Sequence, residues 1–473
     1  MRTADVEFDT GIMRRYDREG PRYTSYPTAR QFHGRLPPDA YRHAAATSRG
    51  AVEGAPLSAY VHLPFCFSPC FYCGCNKVVT HQLGRVEEYV RHLLDEISRR
   101  SAYFDRERVV QQLHFGGGTP TFLPKKRLIE VIDRLDSVFQ LTDDPSRDYS
   151  IEIDPRGTDR AMLQLLAALG FNRISLGVQD FDETVQRAVN RVQPASLVMS
   201  VHESARALGF RSINFDLIYG LPCQTPATFS QTLDRVVEMR PDRLAVYGYA
   251  HMPKLFKAQR QIRPEDLPDA PTRLGLLQLT IDKLCSAGYV YIGMDHFALP
   301  EDSLAIAREN GTLHRSFQGY TTHADRDLVS FGVSAIGQIG DLYIQNHKSL
   351  AEYEKAVGRG ELPSHQGTRM STDDLIRRDV INAIMCHGFV DAAGVEDRHG
   401  IEFGSYFRKE LDQLRALRAD GLVDFTDDWT AGRRSAGRRI ALTPVGRLLM
   451  RNVAMTFDAY LSADVRPPMS RVI

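Results

Sequence analysis

Residues 111–139 read QQLHFGGGTPTFLPKKRLIEVIDRLDSVF, and this stretch holds one complete structural unit. Residues 111–115 form a strand candidate, Gly116, Gly117, Gly118 and Thr119 follow as a turn, and a helix is expected over 125–139. There Leu128, Val131, Ile132, Leu135 and Phe139 recur at three- and four-residue spacing, which places one apolar face on a 3.6-residue period. The alternation continues on both sides. Strands are expected at 58–63, 149–153, 173–177, 212–218 and 243–248, and helices near 85–100, 158–169, 195–208 and 226–239. Repeated β-α units pack as a parallel sheet with helices outside. The predicted fold class is therefore α/β, an incomplete (β/α)6 TIM-like barrel. Ligands in this architecture gather at the C-terminal ends of the strands. The residues with chemistry to offer sit there: a cysteine-rich loop after 58–63, the Gly116–Thr119 turn, Glu152 ending the third strand and Asp216 late in the fifth.

Outward from this core the pattern divides the chain. Residues 1–53 show no sustained period and read as an N-terminal extension carrying a turn-rich aromatic patch, Gly20-Pro21-Arg22-Tyr23-Thr24-Ser25-Tyr26-Pro27. Residues 54–300 hold the barrel domain, and 301–369 complete it and supply substrate loops. Residues 370–473 read as a small, mainly helical C-terminal domain. Helices are expected there at 373–387, 404–420 and 444–462, around strands at 421–425 and 439–442. Thr443-Pro444 is a helix start, with Thr as N-cap and Pro in the first turn. The shape resembles a winged helix, which sometimes binds DNA; a lid or packing module is the reading preferred here.

Composition narrows the function classes. Of 473 residues, 43% are hydrophobic and 25% charged, as in ordinary globular proteins. Lys+Arg equals Asp+Glu at 59 each, so the basic excess of a nucleic-acid binder is missing. The first residues carry acids and no apolar h-region, unlike a secretory signal, and no run approaches the length of a membrane span. The expectation is a cytoplasmic monomer that binds neither nucleic acid nor membrane. Four of the seven cysteines fall within ten positions, and in a reducing compartment such a cluster suggests metal, not disulfides.

Cys66, Cys70 and Cys73 stand at CxxxCxxC spacing, with Cys75 just beyond. Three thiolates this close in sequence can converge on one face of an iron–sulfur cube, which normally takes four protein ligands. Three leave one iron open, and S-adenosylmethionine can chelate it through its amino and carboxylate groups. An electron from the cluster then breaks the sulfonium C–S bond to give a 5′-deoxyadenosyl radical, chemistry that belongs to the cofactors. The competing reading is a zinc site using all four cysteines, but structural zinc sites use paired knuckles that CxxxCxxCxC fits poorly.

CxxxCxxC with an aromatic before the third cysteine resembles the radical S-adenosylmethionine superfamily. The longer phrases are more specific. YVHLPFC, CGCNK, GGGTPT, IEIDPR, GVQDF, AVNR, NFDLIYGLP, YAHMP, GMDHFA, FQGYTT and GVSAIG, with RYTSYPTA near the start and SRVI at the end, resemble the oxygen-independent coproporphyrinogen III oxidase family across essentially the whole chain. That resemblance implies decarboxylation of the ring A and B propionates of coproporphyrinogen III to vinyl groups, giving protoporphyrinogen IX in haem synthesis. It also implies a 4Fe-4S cluster on Cys66, Cys70 and Cys73, two S-adenosylmethionine molecules, an electron donor such as flavodoxin or ferredoxin, and an electron acceptor that the sequence does not identify.

Residue by residue, the resemblance assigns Gly117, Gly118 and Thr119 to cofactor binding. Glycine there lets backbone approach a ligand, although a lone Gly-rich run is as often a tight turn. Tyr60, Glu152 and Ile336 match contacts to the first S-adenosylmethionine. Tyr72, Gln179, Arg191, Asp216 and Ala250 match contacts to the second. Cys75 matches a cysteine that is not a cluster ligand and that handles a proton or hydrogen or steers substrate; with Tyr60 and Glu152 it completes the candidate catalytic set. Phe317 and Gln318 match a segment near the active site. Arg22 is the candidate cation for the substrate's carboxylates, since Arg forks pair well with them. His62 reads as a structural histidine. The sequence departs from the family pattern at Gly248 and at Phe67-Ser68-Pro69. The rival from another class is a haem-binding chaperone of the same superfamily. Such relatives carry Cys-x-Phe where this chain has Cys73-Gly74-Cys75, and they lack the RYTSYPTA segment.

Overall fold

In the computed structural model, which describes residues 6–34, 38–324, 326–426, 429, 437–461 and 471, the chain divides into two units. One comprises Gln31–Leu276 and Asp325–Arg369, the other Met1–Arg30, Leu277–Ala324 and Met370–Ile473. Among the described residues no helix is long and apolar enough to cross a membrane.

The six expected strands are present in the first unit as β1 (Leu57–Leu63), β2 (Val110–Gly117), β3 (Asp148–Ile153), β4 (Arg173–Gln179), β5 (Ser212–Tyr219) and β6 (Arg243–Gly248). Each pairs in parallel with the next, in chain order. Helices at Leu83–Ser101, Lys125–Phe139, Arg160–Ala168, Ala195–Ala207 and Pro226–Met239 link them. The helix over Lys125–Phe139 buries Leu128, Val131, Ile132, Leu135 and Phe139, the apolar face set by its spacing. Pro226–Met239 starts on a capping box between Thr225 and Thr228, which satisfies otherwise orphan N–H groups.

Beyond β6 the sheet grows at the other edge. Strand β7 (Leu328–Phe331) pairs in parallel with β1. Then β8 (Ile336–Ile339), β9 (Leu342–Asn346) and β10 (Ser364–Arg369) follow as an antiparallel meander. A buried ion pair fastens this edge to the helices. Glu96 and Arg100, both fully buried, lie 2.8 Å apart. Arg100 donates to Asn346 at 2.6 Å, while Glu96 accepts from Tyr353, Asn346 and the Gly332 amide. Removing one partner of such a pair strands the other charge. Arg100→Ala is expected to destabilise the fold by roughly 3 kcal/mol, read as a lower urea midpoint at unchanged slope.

The second unit centres on the helix Thr372–His387, which opens on a Ser371–Asp374 capping box and ends at left-handed Gly388. A three-stranded antiparallel sheet lies beside it in sequence: Phe389–Asp391, Arg439–Leu442 and Val423–Phe425. The N-terminal patch belongs to this unit. Arg451 donates to the Pro21 carbonyl at 2.9 Å, and Tyr23 to Asp458 at 2.9 Å. Two expectations need correction. The helix expected over 444–462 is instead Pro444–Leu448 and Met450–Ala454, with a 3-10 turn over Met455–Phe457. The backbone at Gly446 packs directly on the Leu422 carbonyl, and the chain bends at Leu449 (φ −110°, ψ 21°). Similarly, 404–420 divides into Phe403–Tyr406 and Arg408–Ala419 at Phe407. The Thr443 cap is as expected, accepting from the Gly446 amide. Residues 1–5 and 462, and Ser470, Val472 and Ile473 of the SRVI motif, lie outside the described residues.

Candidate active site

A strand presents alternate residues to opposite faces, and the barrel strands sort their chemistry this way. Ala59, Val61 and Leu63, Leu113 and Phe115, Ile151 and Ile153, Ile174 and Leu176, and Phe215 and Leu217 are buried. The residues between them are polar. Register sets Tyr60 beside His114, His114 beside Ser150, Glu152 beside Ser175, and Gly177 beside Asp216. They form a network. The Tyr60 and His114 rings stack at 5.8 Å. His114 contacts Ser150 at 2.6 Å through Nδ1 and Glu152 at 3.4 Å through Nε2. The Gly117 amide donates to Glu152 at 3.1 Å. Ser175 and Asn214 donate to Asp216 at 2.8 and 2.9 Å.

The two carboxylates differ. Burial would raise the Glu152 pKa, but the His114 hydrogen bond and charge and the Gly117 amide hold it below the usual value. Its side chain keeps 43% exposure, so the ionised group is free to meet a ligand. Asp216 is pushed up to about 6, chiefly by burial and further by the charge of Glu152. A carboxyl raised on folding contributes stability below its unfolded pKa and loses it as pH rises through the folded one. Asp216→Asn is therefore expected to stabilise the ligand-free protein by roughly 3 kcal/mol at pH 8 and by almost nothing at pH 4, as thermal melts across that range would show.

The cysteine loop leaves β1 at the C-terminal mouth of the strands. Phe65–Cys66 pairs in parallel with Val78–Val79, closing the loop into a collar. Gly118 lets it approach: a Cβ there would stand 2.6 Å from the Phe65 carbonyl. At Gly117 (φ +118°) a Cβ would stand 2.7 Å from the His62 ring. His62 has a structural place, bonding the Tyr60 hydroxyl at 3.1 Å and the Asn76 carbonyl at 3.0 Å, and burial lowers its pKa.

Each of three sulfurs receives a donor. Thr119 donates to Cys66 at 3.7 Å, Arg191 to Cys70 at 3.5 Å, and the Cys75 amide to Cys73 at 3.4 Å. Arg191 is itself clamped, donating to Asp154 at 3.1 Å and the Gly177 carbonyl at 2.7 Å. Cys73 is pushed down to about 5, first by its hydrogen bond from the Cys75 thiol and then by Lys77, against burial. Cys66 is pushed up to about 11 by burial. Donors aimed at sulfur suit thiolates that ligate iron. No three His, Cys, Asp or Glu groups among the described residues could hold a single metal ion.

The remaining expected residues divide between the units. Gln179, in the left-handed region at φ +67° beside a register shift in β4, ends that strand; such irregularities re-aim a side chain. Gln259 joins Tyr72 to Ala250 by donating to both carbonyls, at 2.9 and 3.2 Å. Ile336 opens β8, which runs antiparallel to β7 and so starts at the C-terminal end of the parallel strands. Arg22, Phe317 and Gln318 lie in the other unit. Arg22 pairs with Asp295, and Phe317-Gln318 form the turn between His314–Ser316 and Gly319–Thr321.

Comparisons with known proteins bear on the family. The family model described as Radical SAM superfamily matches residues 60–236. The oxygen-independent coproporphyrinogen III oxidase of Pseudomonas aeruginosa is 50% identical over 468 residues, covering 99% of each chain. That of Salmonella typhimurium is 46% identical over the full length of both. The solved structure of the Escherichia coli coproporphyrinogen III oxidase, described as a radical SAM enzyme, is 44% identical at a TM-score of 0.90, covering 97% of this chain and 100% of that one.

This chain belongs to the oxygen-independent coproporphyrinogen III oxidases. Membership in that family, within the radical SAM superfamily, implies a 4Fe-4S cluster and S-adenosylmethionine, and the donor-rich cysteine loop suits the first. Several residues gathered at this candidate site carry no signal of their own in the sequence. His114, Ser175 and Asn214 lie in strands whose register alone brings them together. Asp154 and Arg156 lie within the IEIDPR phrase, and Arg156 points a guanidinium nitrogen to 3.9 Å from Cys70. Only the adjacency of that phrase to a strand end could have singled them out.

Proposed function

We propose that this chain is the cytoplasmic enzyme that decarboxylates the ring A and B propionates of coproporphyrinogen III to vinyl groups, yielding protoporphyrinogen IX. The observation that carries the reading is the cysteine loop, which presents three donor-bonded sulfurs at the mouth of a polar barrel interior in a chain half identical to a named oxidase along its length. Cys66, Cys70 and Cys73 would hold the cluster. Bound together, the cluster and S-adenosylmethionine supply a deoxyadenosyl radical able to take a hydrogen from a propionate β-carbon.

The chain's own residues bind and orient. Tyr60, Gly117, Gly118, Thr119, Glu152 and Ile336 would seat the S-adenosylmethionine at the cluster. The ionised Glu152 suits a cationic or hydroxyl-bearing part of it. Tyr72, Gln179, Arg191, Asp216 and Ala250 would seat a second molecule. Asp216, with its raised pKa, would ionise against a cation there. Cys75, exposed and beside Cys73, would handle a proton or hydrogen. Arg22, Phe317 and Gln318 would meet the porphyrinogen, Arg22 by exchanging Asp295 for a propionate. An acidic electron carrier would supply the activating electron, and the electron left behind as each CO2 departs would pass to a separate one-electron acceptor.

Anaerobic turnover with reconstituted cluster, dithionite, S-adenosylmethionine and coproporphyrinogen III tests this by mass spectrometry. Loss of two CO2 with 5′-deoxyadenosine formed is expected. Cofactor cleavage with intact substrate would transfer the reading to another radical reaction, and tight haem binding would favour the chaperone.

A further inference from the structure

Of the three sulfurs proposed to hold the cluster, that of Cys70 is the buried one, and guanidinium groups from two other segments meet it. Arg191 Nη1 donates to it at 3.5 Å and Arg156 Nη2 at 3.9 Å. Arg191 comes just after the helix Glu183–Ala188, and Arg156 stands in the 3-10 turn Pro155–Gly157 that follows β3. The loop is tied to the first of these segments by further bonds. The Phe71 amide donates to the Val189 carbonyl at 3.0 Å, and the Asn190 side chain to the Pro69 carbonyl at 2.8 Å.

Asp154 gathers both cations. Arg156 grips it as a fork, Nε on Oδ1 at 3.0 Å and Nη2 on Oδ2 at 2.7 Å, and Arg191 Nη1 reaches the same Oδ2 at 3.1 Å. The Arg191 and Asp154 side chains keep 8% and 13% exposure, and that of Arg156 keeps 25%. Burial would raise the Asp154 pKa, but the Arg156 hydrogen bond and the charges of both arginines hold it below the usual value. Two cations and one anion therefore leave a net positive charge at the Cys70 sulfur. Asp154 also caps the turn, accepting from the Arg156 amide at 3.0 Å, and a local brace would need no more than that. A brace does not call for the outer nitrogen of the fork to reach a sulfur 86 residues away. Nor does it call for a second arginine on the same carboxylate oxygen and the same sulfur.

We infer that Arg156 and Asp154 are positioning residues that set the reduction potential of the cluster through the Cys70 sulfur, Arg156 raising it and Asp154 lowering it. The inference rests on the cluster reading under Proposed function and deepens it. Hydrogen bonds to a ligand sulfur and local net charge are the levers by which a protein moves an iron–sulfur potential. Reduction by one electron adds a negative charge to the cluster, with no bond made or broken. A nearby cation in a site of low dielectric favours the reduced state, and a nearby anion opposes it. Arg191 would also meet S-adenosylmethionine, so the two residues that carry the inference are the other members of the group.

The test is an anaerobic redox titration of the full chain with reconstituted cluster and dithionite as reductant. Electron paramagnetic resonance of the reduced state follows it, without S-adenosylmethionine. Arg156→Gln keeps an N–H donor and removes the positive charge. Asp154→Asn removes the negative charge and keeps the cap, since Asn caps as well as Asp. Arg156→Gln should make reduction about tenfold less favourable, a downward shift of about 59 mV for one electron. Asp154→Asn should shift the potential upward by a similar amount, and Arg156→Lys should restore most of the loss in Arg156→Gln. The potential belongs to the loaded cluster, so a variant that takes up less iron still reports it. A change of less than twofold in either charge-removing variant would overturn the inference. So would shifts of both in one direction, which is what loosened packing of the loop gives. A wild-type chain that takes up no cluster would instead overturn the cluster reading, and this inference with it.

Discussion

Replacing Cys66 by Ala leaves the anaerobically reconstituted chain without a stable cluster. Iron should fall from about four per chain to a small fraction of that, and decarboxylation should drop to background. The local structure explains why the loss is not shared out. The Cys66 sulfur is the one that Thr119 meets at 3.7 Å, on a two-residue strand locked to Val78–Val79, so no other sulfur can take its place without unzipping the collar. Cys75 is the nearest spare thiol, but its amide is bonded to the Cys73 sulfur at 3.4 Å, on the far arm of the loop. Two thiolates cannot anchor a cube that needs three. Iron analysis with visible absorption reads this directly, and a Cys66→Ala chain with full iron and activity would refute the assignment.

Replacing Cys75 by Ser should do the reverse: retain the cluster and lose the reaction. Cys75 is exposed, while Cys66 and Cys73 are half-buried and Cys70 is buried. Its thiol interacts with Cys73, and that contact, with burial, pushes its own pKa well up. A positioned proton or hydrogen carrier contributes about 10²- to 10⁴-fold to a rate. A hydroxyl that is neither as acidic nor as weakly bonded to hydrogen cannot replace it. The expected outcome is unchanged iron, with oxidase turnover lowered by about two orders of magnitude or more. Loss of iron in this variant would point to a four-cysteine site.

The barrel was legible because its strands and helices obey different periods and never compete over the same window. The apolar spacing from Leu128 to Phe139 and the Thr443-Pro444 start each correspond to an observed element. What stayed hidden was tertiary. β8 and β10 are short and interleave polar residues, and Phe389–Asp391 is a three-residue strand defined only by its partner. The helix expected over 444–462 has the right composition, but the backbone leaves helical geometry at Leu449. In the site, the cysteine spacing speaks for itself. Ala250 and Ile336 carry no chemical signal and were reachable only through family resemblance. His114 and Asn214 needed strand register to become neighbours of Glu152 and Asp216.

The most direct test of the decarboxylase reading follows one atom. Coproporphyrinogen III carrying deuterium at the propionate β-carbons, turned over anaerobically by the reconstituted chain, should deliver that deuterium into 5′-deoxyadenosine as vinyl groups form. Deoxyadenosine free of deuterium, with decarboxylated product present, would contradict hydrogen abstraction by the radical as the step that opens the reaction.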